Sequence, residues 1–571
     1  MKKVSGSPLP LGVTYKNGRA NFAMEVPEGK TCKLLLYRKG EASLLASYVF
    51  SDRIGSVCYL AVDGLKEEAY EYNYDIDGES VTDSYAKALS GKEIWLENIG
   101  MPEKNKENVR GIFYEDHYDW EGDQSPRIRE EELTAYAMHV RGFTKDTHSK
   151  VKSKGTFQGV IEKIPYLKDL GINQIQCMPV YEFEEAGMRV NYWGYGPGYY
   201  FAPKSAYAKD GDGVKGLKDL VKYCHKAGIE VVLEMPFAEG ISGLMVIDCL
   251  RHYVMEYHVD GFIMNPYNVP MDTILKDPIL KGVRVLRHAE EYQNVMRRFL
   301  KGDEGVVTDV MYQTRKRWDL EGIYNCITTH TGFTLKDLVS YDGKHNEANG
   351  ENNQDGPDYN YSWNCGAEGM TRKKAVLELR KNQMRNAMFL LLLSQGVPCI
   401  LAGDEFANSQ KGNNNVYCQD NPIGWLNWRN LLKEQEMYQF VKQLIKFRKK
   451  YRLFHQEKEL LGIDQSGCGM PDVSYHGEMA WRAPTEVASR QIGIYYSSQD
   501  KEESDCFVAY NMHWLEHEFA LPALKKGRKW YRAASTKEGI LKDLVVLENQ
   551  RNIELDEREI VVLVSGKGET V

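Results

Sequence analysis

The spacing of apolar and polar positions divides the chain into three regimes. In residues 1–115, short runs rich in β-branched and aromatic residues alternate with turns: 31–37 and 71–76 predict strands, and Asp77-Gly78 supplies the turn pair after the second. This predicts a small N-terminal β-sandwich. Residues 116–133 are charged, contain Pro126 and predict a linker. From 134 to 455, strand-like and helix-like segments alternate. Residues 134–140 predict a strand and 160–169 an amphipathic helix carrying Val160, Ile161, Ile164 and Leu167 on one face, closed by Gly171. Residues 172–180 predict the next strand, then a helix over 217–227, a stop at Gly228 and a strand over 229–235. Such alternation predicts an α/β domain with parallel strands. From 456 to 571 the short β runs return, as in 491–496 and 506–510, and predict a second sandwich.

With 571 residues, about three or four domains would be usual, fewer if one is a large barrel. The net charge of −8 argues against nucleic acid or an anionic membrane as partner. The eleven cysteines are scattered singly and odd in number, which suggests reduced thiols rather than a disulfide framework. No apolar signal core follows Met1, and the longest apolar run, residues 387–393, falls far short of the ~20 residues of a membrane span. A cytoplasmic location is therefore expected. The 36 tyrosines and 10 tryptophans offer flat faces that suit sugar stacking, although any single one is more often core.

Several stretches carry a specific resemblance. Tyr136-Ala137-Met138-His139-Val140-Arg141-Gly142-Phe143-Thr144 resembles the first barrel strand of the glycogen-debranching, isoamylase-like branch of the α-amylase superfamily of glycoside hydrolases. Asn191-Tyr192-Trp193-Gly194-Tyr195 resembles the loop that floors its sugar pocket. Gly332-Phe333-Thr334-Leu335-Lys336-Asp337-Leu338, Lys344-His345-Asn346-Glu347-Ala348-Asn349-Gly350-Glu351-Asn352 and Ala402-Gly403-Asp404-Glu405-Phe406 are its most specific matches. The resemblance covers nearly the whole chain. It implies α/β architecture with a (β/α)8 TIM barrel at 134–455, flanked by N-terminal (1–115) and C-terminal (456–571) β-sandwiches. It implies no cofactor, and α-glucan such as glycogen or maltooligosaccharide as ligand.

The chemistry of that family departs at its reacting groups. A retaining glycosidase needs two carboxyl groups about 5–5.5 Å apart, one nucleophile and one acid/base. At the end of the fourth strand the family reads Gly-Phe-Arg-Phe-Asp, the Asp being its nucleophile; here stand Gly261-Phe262-Ile263-Met264-Asn265. The amide of Asn265 cannot form a glycosyl ester, and Pro266 lacks the backbone N–H that succinimide-mediated deamidation needs. The family's His-Asp becomes His330-Thr331, so a third carboxylate is lost. His288 falls at the acid/base Glu position, with Glu290 the alternative if the register shifts. In the third strand Asp-x-x-x-Asn-His becomes Glu234-Met235-Pro236-Phe237-Ala238-Glu239. The loops that carry specificity on a barrel are also short, with about twenty residues between Glu239 and Asp260.

Tyr192, Trp193, Tyr195 and His330 are the candidate sugar-binding residues. The same aromatic residues would otherwise pack the barrel mouth, and the Asn-rich loops at 346–353 and 413–415 either bond a glucan or tie their own turns. Glu234 and Glu290 are the alternative carboxylates; strand alternation does not bring Glu234 and Glu239 to one site. His139, His288 and His330 lack the short spacing of metal ligands, and no metal is expected. The leading expectation is a catalytically inactive debranching-enzyme-like protein, or pseudoenzyme, acting in glycogen metabolism as a glucan binder or as partner of an active glucan-metabolising enzyme. Two alternatives stand beside it: an active α-1,6-glucosidase with relocated carboxylates, and a pure scaffold subunit that no longer sees sugar.

Overall fold

The computed structural model describes residues 1–67, 69–96, 109–498, 500 and 503–567. At the N-terminus two antiparallel sheets pack face to face. One is built around Arg19–Glu25 and Val57–Asp63, the other around Cys32–Arg38 and Tyr70–Ile76. Alternation along Cys32–Arg38 sends Cys32, Leu34 and Leu36 inward, where they meet Phe22, Leu60, Tyr72 and Phe113. Asp77 and Gly78 both take positive φ, 51° and 93°, the geometry a two-residue hairpin turn requires.

The central region holds a parallel sheet of six strands: β1 (Ala135–Met138), β2 (Gln174–Cys177), β3 (Glu230–Glu234), β4 (Gly261–Ile263), β5 (Arg284–Leu286) and β6 (Cys399–Leu401). Their order is β5-β4-β3-β2-β1-β6. Between the outer strands β5 and β6 lies an extended segment, residues 322–329. The Arg287 amide donates to the Gly322 carbonyl at 2.8 Å, and Asn325 pairs with Pro398 in a parallel bridge. The architecture is that of a (β/α)8 barrel with β-rich flanks, its wall drawn here from six strands and this seventh segment among the described residues. Helices α1 (Gly213–Lys226), α2 (Gly243–Tyr257), α3 (Glu291–Lys301), α4 (Lys374–Leu392) and α5 (Gln435–Lys450) pack outside. Helix α2 fills most of the interval between Glu239 and β4, so the connection over the barrel mouth shrinks to residues 239–242.

The strands are shorter than the apolar runs that predict them, because β-pairing stops where the chain turns toward the mouth. The run 134–140 ends as strand at Met138, and Val140–Thr144 forms a short helix whose first turn is capped by the His139 ring. The helix predicted over 160–169 is two helices, Phe157–Glu162 and Ile164–Leu170. Pro165 cannot donate a backbone hydrogen bond, so the first cannot run through it. Residues 116–133 do not hang free. Asp123 Oδ2 accepts from His225 Nδ1 at 2.9 Å and His258 Nδ1 at 3.0 Å, Ser125 donates to Asp260, and Trp120 stacks on His258 at 3.9 Å.

The C-terminal sheet runs Val473–His476, Gln491–Tyr496, Cys506–Asn511, Glu559–Lys567, Arg528–Ser535 and Gly539–Val546, all antiparallel. One face carries Ile492, Val508, Tyr510 and Val562 into the same apolar core as the barrel helices. Its other face packs with Phe519, Trp530 and Leu555. No helix among the described residues is long and apolar enough to cross a membrane.

Candidate functional site

The C-terminal ends of the barrel strands form one open mouth, and Glu234 ends β3 inside it. Its register partner on β4 is Ile263, which is buried with Val232, Leu286 and Tyr324. An apolar neighbour therefore stands where a cation would compensate the carboxylate. Glu234, 7% exposed, finds its partners on other strands. Tyr195 donates its hydroxyl to Oε1 at 2.5 Å, and His288 Nε2 lies 3.6 Å from the same oxygen. Because the Tyr195 hydrogen is committed to Glu234, the 2.6 Å contact with His330 Nε2 makes the imidazole the donor. Burial alone would raise the Glu234 carboxyl. The His330 and His288 imidazoles and the Tyr195 hydroxyl overcome burial and hold it down to about 2. For His288, whose side chain is about half exposed at the rim, desolvation of the ring works to lower the pKa, and the Glu234 carboxylate reverses it to a net rise.

Asn265 lies two residues past β4 and is exposed. Its Oδ1 accepts from the Tyr267 amide at 3.1 Å, and its carbonyl accepts from the Asn268 amide at 3.1 Å, so it builds a turn. Thr331 is exposed and its hydroxyl meets that of Thr329 at 3.2 Å. His288 is exposed at the rim. Glu290 is exposed at the N-cap position of α3, without a side-chain capping bond. Glu239 is exposed in the loop beyond β3, and among the described residues it forms no hydrogen bond or ion pair with Glu234. Thus Asn265, Thr331 and His288, the positions expected from the resemblance to answer to the reacting carboxylates, hold an amide, a hydroxyl and an imidazole.

The candidate sugar residues divide. Trp193, Tyr195 and His330 come together: the Trp193 ring meets His330 edge-on at 4.9 Å and Tyr195 at 5.7 Å. Tyr192 does not join them as a platform. It is 1% exposed, stacks on His139 at 4.0 Å and donates to the Gly424 carbonyl, which makes it a support beneath the mouth. Trp193 is also buried, at 5% exposed, but still borders the groove beside it, which Tyr192 does not.

Beside Trp193 and Tyr195 opens a groove of about 690 Å³ whose wall is completed by Arg189, Glu351, Asp355 and Tyr417. Tyr417 donates to Glu351, and Arg189 pairs with Glu351 at 3.1 Å. An aromatic face with fixed carboxylates, a guanidinium and a phenol suits a neutral polyhydroxylated ring, which stacks on one face and hydrogen-bonds at its edge. Those four residues come from three distant stretches, so spacing alone did not bring them together. The signal was present in the match at 344–352, which holds Glu351. The Asn-rich loops mostly tie themselves: Asn346, Asn349, Asn413 and Asn414 are buried and bonded to one another and to Asp355. Asn415 alone of the 413–415 trio borders the groove. A second, smaller cavity of about 80 Å³ descends between β5 and residues 324–331, bordered by Gln176, His288, Cys326 and Cys399. Among the described residues no three His, Cys, Asp or Glu side chains converge to hold a metal ion.

Comparison with known proteins places this geometry. The model of the alpha amylase catalytic domain matches residues 129–237. Isoamylase 3 of Oryza sativa subsp. japonica is 30% identical, the match covering 94% of this chain and 83% of that protein. The glycogen operon protein GlgX homolog of Mycobacterium tuberculosis is 28% identical, over 94% of this chain and 93% of its own length. A pullulanase of Paenibacillus barengoltzii, solved with maltohexaose and alpha-cyclodextrin, superposes with a TM-score of 0.74 at 17% identity, covering 98% of this chain and 95% of that one.

Proposed function

Because the chain belongs to the isoamylase-like, glycogen-debranching branch of the α-amylase superfamily, we propose that it is a catalytically inactive member of that branch, which binds α-glucan and acts as a binding or regulatory partner of an active glucan-metabolising enzyme. What supports the proposal is the mouth itself, where the residues read as answering to the reacting positions, Asn265, Thr331 and His288, are not carboxylates. Glu234, the buried carboxylate that ends β3 at this mouth, is poorly suited to replace them. A general acid needs a raised pKa so that it holds a proton at working pH, whereas Glu234 is held down to about 2 and already accepts from Tyr195. The groove at Trp193 favours glucan binding over a scaffold blind to sugar. The solved complex of the Paenibacillus barengoltzii pullulanase with maltohexaose supports the ligand class.

Affinity electrophoresis in gels containing glycogen tests the binding half. The protein is expected to be retarded. Trp193→Ala and Tyr417→Ala, checked for folding by circular dichroism, are expected to weaken apparent affinity about fivefold, the scale of one lost aromatic contact of about 1 kcal/mol. Unchanged mobility at every glycogen concentration would favour the sugar-blind scaffold. Co-purification with an active debranching enzyme tests the partner half.

A further inference from the structure

On the opposite face of the barrel, where the strands begin, the segment entering β1, the turn entering β2 and the end of α5 enclose a cavity of about 300 Å³. That is the lower end of the size that small-molecule sites occupy. Arg448 borders it, 2% exposed, with no carboxylate within 4 Å among the described residues. Its guanidinium donates only to the carbonyls of Leu392, Ser394 and Gly396, and burial pushes its pKa down to about 10. Lys449 stands next to it and reaches only the Gly171 carbonyl, at 3.0 Å. His455 lies beside them as a neutral ring: both ring nitrogens are shut off from solvent and neither makes a hydrogen bond of ordinary length, although one faces the Lys449 carbonyl. Burial, with Arg448 beside it, holds His455 down to about 4, so at neutral pH it offers one donor and one acceptor.

Glu131 and Glu132 border the cavity from the other side. Arg129, an exposed side chain, meets both: Glu131 at 3.2 Å and Glu132 in a shorter contact. Glu132 also acts across the cavity on Lys449 and His455, and the free lone pairs of both carboxylates remain acceptors. A buried guanidinium without a carboxylate in reach and imidazole nitrogens closed off from solvent are costly unless something else supplies the missing charge and bonds. A neutral sugar would satisfy the acceptors but leave the Arg448 guanidinium without a counter-anion; a bare anion would do the reverse.

We propose that this cavity is a second ligand site, which takes a small sugar carrying one anionic group: the anion against Lys449, His455 and Arg448, the hydroxyls against Glu131 and Glu132. It lies across the barrel from the glucan groove and does not depend on whether the mouth is inactive.

Isothermal titration of the full chain with glucose 6-phosphate, glucose and inorganic phosphate tests it. The expected result is saturable binding of glucose 6-phosphate, about tenfold or more tighter than glucose or inorganic phosphate. Lys449→Met and His455→Phe should each weaken it about tenfold, the worth of one charge-assisted hydrogen bond. Because His455→Phe could disturb packing, Glu131→Gln serves as a second variant: it should lower the preference for glucose 6-phosphate over inorganic phosphate and leave phosphate binding in place. Glycogen retardation should be unchanged in Lys449→Met, which separates this site from the groove. No binding of glucose 6-phosphate at millimolar concentration, binding no tighter than inorganic phosphate, or affinity indifferent to Lys449→Met would overturn the proposal.

Discussion

At Glu234, burial and partnership pull in opposite directions, and the partners win. The pairing with His288 has a defined pH window. The carboxylate's share of the stabilisation is present above its ordinary value near 4.5 and is lost as pH falls toward about 2. The His288 share is present below its ordinary value near 6.5 and is lost as pH rises through its raised folded value. Glu234→Gln should therefore cost most between about pH 4.5 and 6.5, by about 1 kcal/mol, since exposure of His288 weakens the pair. Urea denaturation across pH measures this, and the loss should shrink on both sides of the window. In the same variant, NMR titration of His288 should show its pKa falling; an unchanged value would mean that Glu234 is not its partner. Sequence reading reached Glu234 as an alternative carboxylate, without its partners. Tyr195 and His288, which meet its Oε1, and His330, which meets the Tyr195 hydroxyl, come from separate segments that only the closed barrel brings together. Tyr192 shows the converse: a motif residue whose neighbour Trp193 faces the groove while it supports the floor.

Among the elements, the seam beside β5 is the weak point of the barrel wall. Among the described residues, the end of β5 meets the 322–329 segment through one backbone bond, from the Arg287 amide to the Gly322 carbonyl, whereas β3 and β4 share a regular three-residue register. Hydrogen exchange followed by mass spectrometry should find residues 284–288 and 326–329 exchanging fastest among the barrel-wall segments; protection equal to that of β2 and β3 would contradict the open seam. Gly322 is fixed there by geometry. Its φ is +74°, and an added Cβ would lie 2.6 Å from the Val285 carbonyl oxygen, so Gly322→Ala should lower stability by about 2 kcal/mol, read as a fall in Tm. The linker is latched at the other end of the barrel. Burial of His225 works to lower its pKa, but Asp260 and Asp123 raise it overall, so the latch is complete below about pH 6.5 and loosens as pH rises through the folded value. Limited proteolysis of residues 116–129 should accelerate over that rise, and His225→Gln should cleave readily at every pH. Composition marked this segment as a linker, because charge and Pro126 were visible; Asp123 and Ser125 gave no sign of their distant partners.

For the molecule as a whole, the period of the apolar pattern was enough to separate β-rich ends from an alternating middle, because period 2 and period 3.6 leave different marks. It could not show that the C-terminal sheet shares one continuous core with the barrel helices, since that contact joins α4 to strands more than a hundred residues away. Nor could it show the wall narrowing beside β5, because a missing stave leaves no pattern of its own. The site was half legible. Asn265, Thr331 and Ile263 stood out against a strong family match, while the groove around Glu351, Asp355 and Tyr417 required the fold. The central claim is that a debranching-type barrel here holds glucan without cleaving it. The most direct test is release of reducing ends from glycogen and pullulan by the purified full chain during prolonged incubation, with an active isoamylase as positive control. The account predicts release no greater than the buffer blank, and no change in Glu234→Gln or Glu290→Gln; release above blank that either substitution abolishes would contradict it.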